Sequence, residues 1–184
     1  MKRCAWLSKD PIYIEYHDQE WGMEKSKDQD FFEQLCLEGA QAGLSWITIL
    51  KKRDHYRKLF FHFDIATCAT LSDEYLEECL QDKGIVRNRL KVYSVRKNAV
   101  CALNLIEEFG SLKQYFWQWI DHSPVKNHFS NIEDIPSSTE LSAKISKDLK
   151  NRGFSFTGST IIYAFMQAVG MTIDHTTDCY LYRI

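Results

Sequence analysis

From Val92 to Gly110 the chain spells out one amphipathic helix, and this pattern constrains the fold more than any other feature. Val92, Val95, Ala99, Ala102 and Ile106 keep an i, i+3, i+7 rhythm until Gly110 supplies the stop. The same spacing recurs elsewhere. In "DQDFFEQLCLEGAQAGL", Phe31, Phe32, Leu35 and Cys36 form an apolar stripe, with Asp28 or Asp30 as candidate caps. Leu141, Ile145 and Leu149 form another stripe that ends at Gly153, and Ser159 opens "STIIYAFMQAV", which runs to Gly170. Ser45, Ser72 and Ser111 each stand where the N-cap of a helix belongs. Strand alternation and hairpin signals do not occur, so the expectation is an all-α fold of about seven or eight helices.

The chain has 184 residues, three prolines, eight glycines and no Ser/Gly-rich linker, which predicts a single domain over 1–184. No run approaches the roughly 18 apolar residues of a membrane span. The basic start "MKRCAWLSKD" lacks the apolar stretch of a signal peptide, so a cytoplasmic protein without membrane contact is expected. Six cysteines without disulfide-like clustering suit core or metal roles in a reducing compartment. A net charge of −2 argues against indiscriminate coating of nucleic acid. A local basic face is nonetheless written into 83–97, where Lys83, Arg87, Arg89, Lys91, Arg96 and Lys97 occur with no acidic residue among them.

Four groups of residues carry candidate chemistry. Cys4 and His17 near the start, with His175 and Cys179 in "HTTDC" near the finish, offer a Cys2His2 donor set for a closed tetrahedral metal site. The spacing matches no finger pattern, and buried cysteines beside surface histidines explain these residues as well. Trp6, Tyr13, Tyr16 and Trp21 crowd a polar, weakly periodic segment, which suits the walls of a pocket for a flat ligand, although aromatic core is the plainer reading. Glu38 sits among Leu35, Cys36, Leu37 and Ala40 in "LEGAQAGLSW" and is either an exposed helix carboxylate or a partly buried one suited to a cation or an N–H donor. The turn around Gly84 in "QDKGIVRNRLKVYSVRKNA" joins two helices beside basic side chains, a form compatible with gripping phosphates and equally with a solvated basic face. No Gly-rich nucleotide loop and no Gly-x-Ser-x-Gly elbow is present.

Taken together, "RCAW", "DPIYIEYHDQEWG", "LEGAQAGLSWITILKKRDHYRKLFFHFD", "KGIVRNRLK", "RGFSFTGSTIIYAFMQAVGMTIDH" and Cys179 resemble, in collinear order, the DNA-3-methyladenine glycosylase I family of the helix-hairpin-helix superfamily. The resemblance covers nearly the whole chain. It implies an all-α, two-lobed fold with a DNA-gripping hairpin at about 76–102 and one structural zinc ion clasping the termini through Cys4, His17, His175 and Cys179. It implies base-excision repair: a monofunctional glycosylase that flips a nucleotide from double-stranded alkylated DNA and hydrolytically releases 3-methyladenine. Glu38 would be the carboxylate that meets the damaged base, Tyr16 and Trp46 would stack on it, and Trp6, Tyr13 and Trp21 would complete the pocket. Gly43 and Leu44 would form the tip that fills the gap left in the duplex. Gly84, Ile85 and Val86 would offer backbone N–H groups to phosphates, with Arg87, Arg89 and Lys91 adding charge. Ser159 and Thr160 match a motif near the pocket, and the protein is expected to be a monomer.

Two features bear on mechanism. A base methylated at ring position 3 is cationic, so aromatic faces and a carboxylate favour it over adenine. The superfamily usually places a catalytic aspartate after the hairpin, whereas 92–106 contains none and neither Glu107 nor Asp121 lies in a selecting motif. A zinc-stapled DNA-binding module that cuts nothing is the rival reading, and it would need no carboxylate in an aromatic pocket.

Overall fold

The computed structural model describes residues 1–182; Arg183 and Ile184, the last two positions of the expected domain, lie outside the described residues. In chain order the helices are α1 (Pro11–Gln19), α2 (Asp28–Gln41), α3 (Trp46–Leu50), α4 (Arg53–Leu59), α5 (Ile65–Ala69), α6 (Asp73–Cys79), α7 (Arg89–Phe109), α8 (Leu112–Trp117), α9 (Glu140–Asn151) and α10 (Ser159–Ala168). Ten α-helices among the described residues exceed the expected seven or eight, because α3, α4, α5, α6 and α8 span seven residues or fewer and are too short to carry a full periodic stripe. The structure also has a small sheet that the sequence did not announce. Val125–Lys126 (β1) pairs in parallel with Thr172–Ile173 (β2), two residues against two, which leaves no alternation to read.

The helix ends follow elementary capping chemistry with some displacements. Ser72 Oγ accepts from Tyr75 N at 3.2 Å and Ser111 Oγ from Gln114 N at 3.0 Å, as their positions suggest. Asp28 caps a different helix: it is the first residue of α2, behind Lys27, and its Oδ1 accepts from Leu112 N at 2.8 Å, the first amide of α8. Gly158 rather than Ser159 is the N-cap of α10. Ser45 precedes α3 as expected, but its hydroxyl pairs with Thr48 Oγ1 at 2.7 Å and leaves the backbone uncapped.

α2 lies at the centre, touching α3, α7, α8 and α10. Its Phe31 stacks on Phe116 of α8 with ring centroids 5.8 Å apart, and Phe116 meets Phe165 of α10 at 4.6 Å. On its other side Phe32 meets Phe63 at 6.2 Å, beside Phe60 and Tyr56. Each of these phenylalanines is essentially fully buried, worth about 1.5–3 kcal/mol apiece in removed apolar surface. Of the stripe read from the sequence, Val92, Val95, Ala99 and Ala102 bury against this core and Ile106 is half-buried against it. Among the described residues no helix is long and apolar enough to cross a membrane.

Candidate base pocket and metal cluster

The buried face of α2 continues past the core to Glu38, which is 4% exposed and opens onto a cavity of about 270 Å³. Trp6, Tyr13, Tyr16, Trp21 and Trp46 line it, so all five expected aromatics converge around the expected carboxyl. They also brace one another: Trp6 lies 5.1 Å from Tyr13 and 5.0 Å from Trp21, and Tyr16 lies 5.4 Å from Trp46 at an interplanar angle of 52°. Because Tyr16 and Trp46 touch, a flat ligand would lie against these rings, since insertion between them needs centroids about 7 Å apart, two contact distances. The indole N–H groups of Trp6 and Trp46 are buried with no acceptor among the described residues.

Glu38 is the only carboxyl among the cavity residues, and its electrostatics differ from a plain anion. Burial pushes its pKa up to about 8, and the opposing pull, a hydrogen bond donated by Gln34 Nε2 to Oε1 at 2.7 Å, is smaller. The group is therefore neutral at pH 7 until a cation or a donor array arrives. This refines the reading of Glu38 as a standing anion: helix position alone does not reveal how completely the aromatics exclude water. Burial, seconded by Glu38, also drives the Tyr16 phenol well above its ordinary range.

Five further wall residues carry no chemical motif and were not singled out from the sequence. Gln41 lies three residues beyond Glu38 on α2, and Ala164 and Gln167 lie on α10. Ile132 and Ile135 come from the long connection before α9. Two isoleucines at i, i+3 in the polar run "SNIEDIPSS" were the available signal. Ser159 and Thr160 do not line the cavity; they occupy the first turn of α10, one turn or more before Ala164.

Behind the aromatic wall, Cys4, His17, His175 and Cys179 meet, all buried, with their ligating atoms within 4.8 Å of one another. Cys4 Sγ to His175 Nδ1 and Cys179 Sγ to His17 Nε2 both measure 3.5 Å, and Cys179 Sγ to His175 Nδ1 measures 3.6 Å. Donors bonded at 2.0–2.3 Å around a tetrahedral zinc ion are about 3.5 Å apart, so the cluster fits such an ion. His17 faces the cluster through Nε2 while its Nδ1 lies 2.8 Å from Asp18 Oδ1, the outer carboxylate that typically orients a metal-binding imidazole. Burial lowers the His17 pKa and favours the neutral ring a metal requires. Arg3 grips Asp18 with contacts of 2.7–3.0 Å and holds it well below the usual carboxylate range. The cluster also touches the cavity wall, since Trp21 meets the His175 ring at 4.7 Å and Trp6 meets that of His17 at 5.4 Å. The remaining cysteines, Cys36, Cys68, Cys79 and Cys101, are buried and free.

The turn after α2 presents Leu44, 42% exposed, on a backbone that Gly43 turns at φ +78°, a value a side chain would strain. The basic turn is more occupied than its sequence suggests. Gly84 N donates to Asp82 Oδ1 at 2.5 Å, Ile85 N approaches Asp82 O at 3.5 Å, and Val86 N donates to the Tyr56 hydroxyl at 3.0 Å. A Cβ on Gly84 would fall 2.1 Å from His55 Nδ1 and 2.8 Å from Asp82 Oδ1, so any side chain here would push His55 and Asp82 aside. Arg89 pairs with Glu77, and Arg96 with Asp73 at 2.6 Å, because α6 folds its acidic face onto α7 and cancels the charge segregated along the chain. Lys91 is turned inward, its Nζ donating to Ala40 O at 2.8 Å and Ala42 O at 2.6 Å. Arg87 stays exposed and without a protein partner among the described residues. It is joined there by Lys52, whose Nζ rests on Lys83 O at 2.7 Å and which the sequence gave no reason to select.

Known proteins match this arrangement along the whole chain. The family model for methyladenine glycosylase matches residues 6–182. DNA-3-methyladenine glycosylase 1 of Escherichia coli strain K12 is 44% identical over 182 residues, covering 99% of this chain and 97% of that protein. The DNA-3-methyladenine glycosylase of Haemophilus influenzae is 42% identical over 177 residues, 96% of each chain. A crystal structure of 3-methyladenine DNA glycosylase I superposes with a TM-score of 0.96 at 44% identity, covering 99% of this chain and 100% of the other. The Staphylococcus aureus 3-methyladenine DNA glycosylase I, solved to explain 3-methyladenine recognition, superposes with the same score at 30% identity, covering 100% of this chain and 98% of its own. With a buried carboxyl in an aromatic cavity and a collinear match over 6–182, the chain belongs to the methyladenine glycosylase family.

Proposed function

We propose that this protein is a monofunctional DNA-3-methyladenine glycosylase of base-excision repair, acting on double-stranded alkylated DNA. The observation that carries this reading is the pairing of one buried carboxyl, Glu38, with five aromatic side chains around a cavity of about 270 Å³. A non-enzymatic DNA-binding module has no use for such a cavity.

The lesion nucleotide swings out of the stack and its base enters the cavity, while Leu44 fills the gap it leaves. Tyr16 and Trp46 offer ring faces to the base, with Trp6, Tyr13 and Trp21 packed around them. The positive charge of the methylated base makes the neutral Glu38 carboxyl release its proton and pair with it. Unmodified adenine brings no charge and leaves Glu38 neutral. Selectivity therefore comes from the coupling of the carboxyl's proton to the ligand's charge. The same positive charge weakens the bond to the sugar, so water can displace the base with little general-acid help, which suits a cavity with a single carboxyl. The protein's share of the work is to hold the base, orient the sugar and admit water.

Cys4, His17, His175 and Cys179 would hold one zinc ion, closed by four protein ligands and hence structural. When bound, the ion ties the chain's two ends together behind Trp6 and Trp21. Exposed Arg87 and half-buried Lys52 are the cations best placed to meet phosphates beside the 80–88 turn, and the protein would work as a cytoplasmic monomer. The test is direct: purified protein is incubated with methylated duplex DNA and the released bases are separated. 3-Methyladenine in the supernatant supports the reading, and its absence refutes it. Borohydride should trap no protein–DNA adduct, since water rather than a lysine amine is the nucleophile.

A further inference from the structure

The C-terminal end of α2 accounts for its carbonyls one by one. Gly39 O accepts from Ala42 N at 3.3 Å and Gln41 O from Leu44 N at 2.6 Å. Ala40 O and Ala42 O have no such local donor, and both are taken by one ammonium, Lys91 Nζ, at 2.8 and 2.6 Å. Helix ends concentrate negative partial charge on these groups, and α2 carries no basic residue in its own last turn. The cation that answers it comes from 49–51 residues away, in the first turn of α7. Lys91 therefore adds a side-chain tie between the end of α2 and the start of α7, two helices that also touch directly. On one side is the turn bearing Gly43 and the exposed Leu44. On the other is the end of the basic turn, since Asn88 caps α7 by accepting from Lys91 N at 3.1 Å, next to the exposed Arg87.

We propose that Lys91 is a positioning residue for excision: it holds the Leu44 tip at a set distance from the phosphate-gripping turn, so that nucleotide extrusion and backbone contact occur in register. The inference rests on the glycosylase reading above, with Leu44 as the wedge. It removes Lys91 from the set of phosphate ligands and gives its charge a structural address. The turn at Gly43, with φ +78° and open space beside its α-carbon, is held locally by short-range hydrogen bonds such as Leu44 N to Gln41 O, and Lys91 adds the long-range one. Lys91 does not line the base cavity, so its effect should be felt on duplex DNA and not on the isolated base.

The experiment compares wild type, Lys91→Met, Lys91→Arg, Leu44→Gly and the double variant Lys91→Met/Leu44→Gly. Excision is measured under single-turnover conditions on a methylated duplex and on the same strand unpaired, alongside affinity for free 3-methyladenine and thermal stability. Losing two charge-assisted hydrogen bonds should lower duplex excision by about ten- to a hundredfold in Lys91→Met. Single-strand excision and free-base affinity should change less than about threefold, which also reports that the variant is folded. Lys91→Arg, which keeps a cation with several donors, should recover most of the rate. In the Leu44→Gly background the Lys91→Met change should add almost nothing, because both act on one step. Additive losses, or equal losses on single and double strands, would overturn the proposal while leaving the glycosylase reading intact. An undiminished duplex rate in Leu44→Gly would remove the wedge and the tether together. Absence of base release by the wild type would instead refute the function itself.

Discussion

Replacing Glu38 by Gln should make the protein more stable, and increasingly so as the pH rises. In the unfolded chain Glu38 titrates near its ordinary value of 4.5, whereas in the folded protein burial holds it at about 8. Between those values the folded state keeps a proton the unfolded state has lost, so folding takes up a proton and stability falls as pH rises through the window. It is flat below about 4.5 and flat again above about 8. Each unit of separation is worth about 1.4 kcal/mol, so ionisable Glu38 costs the fold about 3 kcal/mol at pH 7 relative to pH 4.5. Glutamine is nearly isosteric and can still accept the hydrogen bond from Gln34, but it cannot titrate. The assay is urea unfolding of both proteins at pH 5, 6, 7 and 8. Subtracting one pH profile from the other cancels every other titrating group. The difference should grow by about 1.4 kcal/mol per pH unit in favour of Glu38→Gln. Parallel profiles would show that Glu38 ionises freely in the empty cavity, and the link between its proton and ligand charge would fail with it. Such a cost is the kind a binding site retains when the strained group is what recognises the ligand.

Other expectations follow from the same geometry. Glu38→Gln should lose most base release from methylated DNA despite its greater stability, which product analysis would check. About one zinc ion per chain should be found by metal analysis after chelator-free purification, and Cys179→Ser should lower the melting temperature far more than it alters affinity for free 3-methyladenine. Arg87→Ala should reduce the slope of log affinity against log salt by about one, whereas Arg89→Ala, already paired with Glu77, should change it little. Gly84→Ala should destabilise the basic turn through its contact with His55, and His55→Ala should relieve much of that loss in the double variant, as read by thermal melts.

How legible the site was differed from residue to residue. Glu38, the aromatics and the four metal-type donors each carry distinctive chemistry, so type and order along the chain were enough to select them. Ile132, Ile135, Ala164 and Gln167 were not legible, because an isoleucine or alanine on a cavity wall looks the same in sequence as one in the core. The basic turn misled in the opposite direction. Its arginines and lysine are conspicuous as a run, yet Arg89, Arg96 and Lys91 are spent on Glu77, Asp73 and the end of α2.

By itself the sequence determined the helical class, the long α7, the caps at Ser72 and Ser111, the chemical inventory of the pocket and the family. These depend on local rules: a 3.6-residue period, a hydroxyl before a helix, the presence of a residue type at all. Only the tertiary structure decided which groups are neutral, which charges are already paired and which surfaces remain open. Those properties arise when α6 folds onto α7, when the aromatics close over Glu38, and when the two termini bring cysteine and histidine together. Desolvation and pairing are properties of neighbours in space, and the neighbours that matter most here, Cys4 with His175 and Lys91 with Ala40, lie 171 and 51 residues apart in the chain.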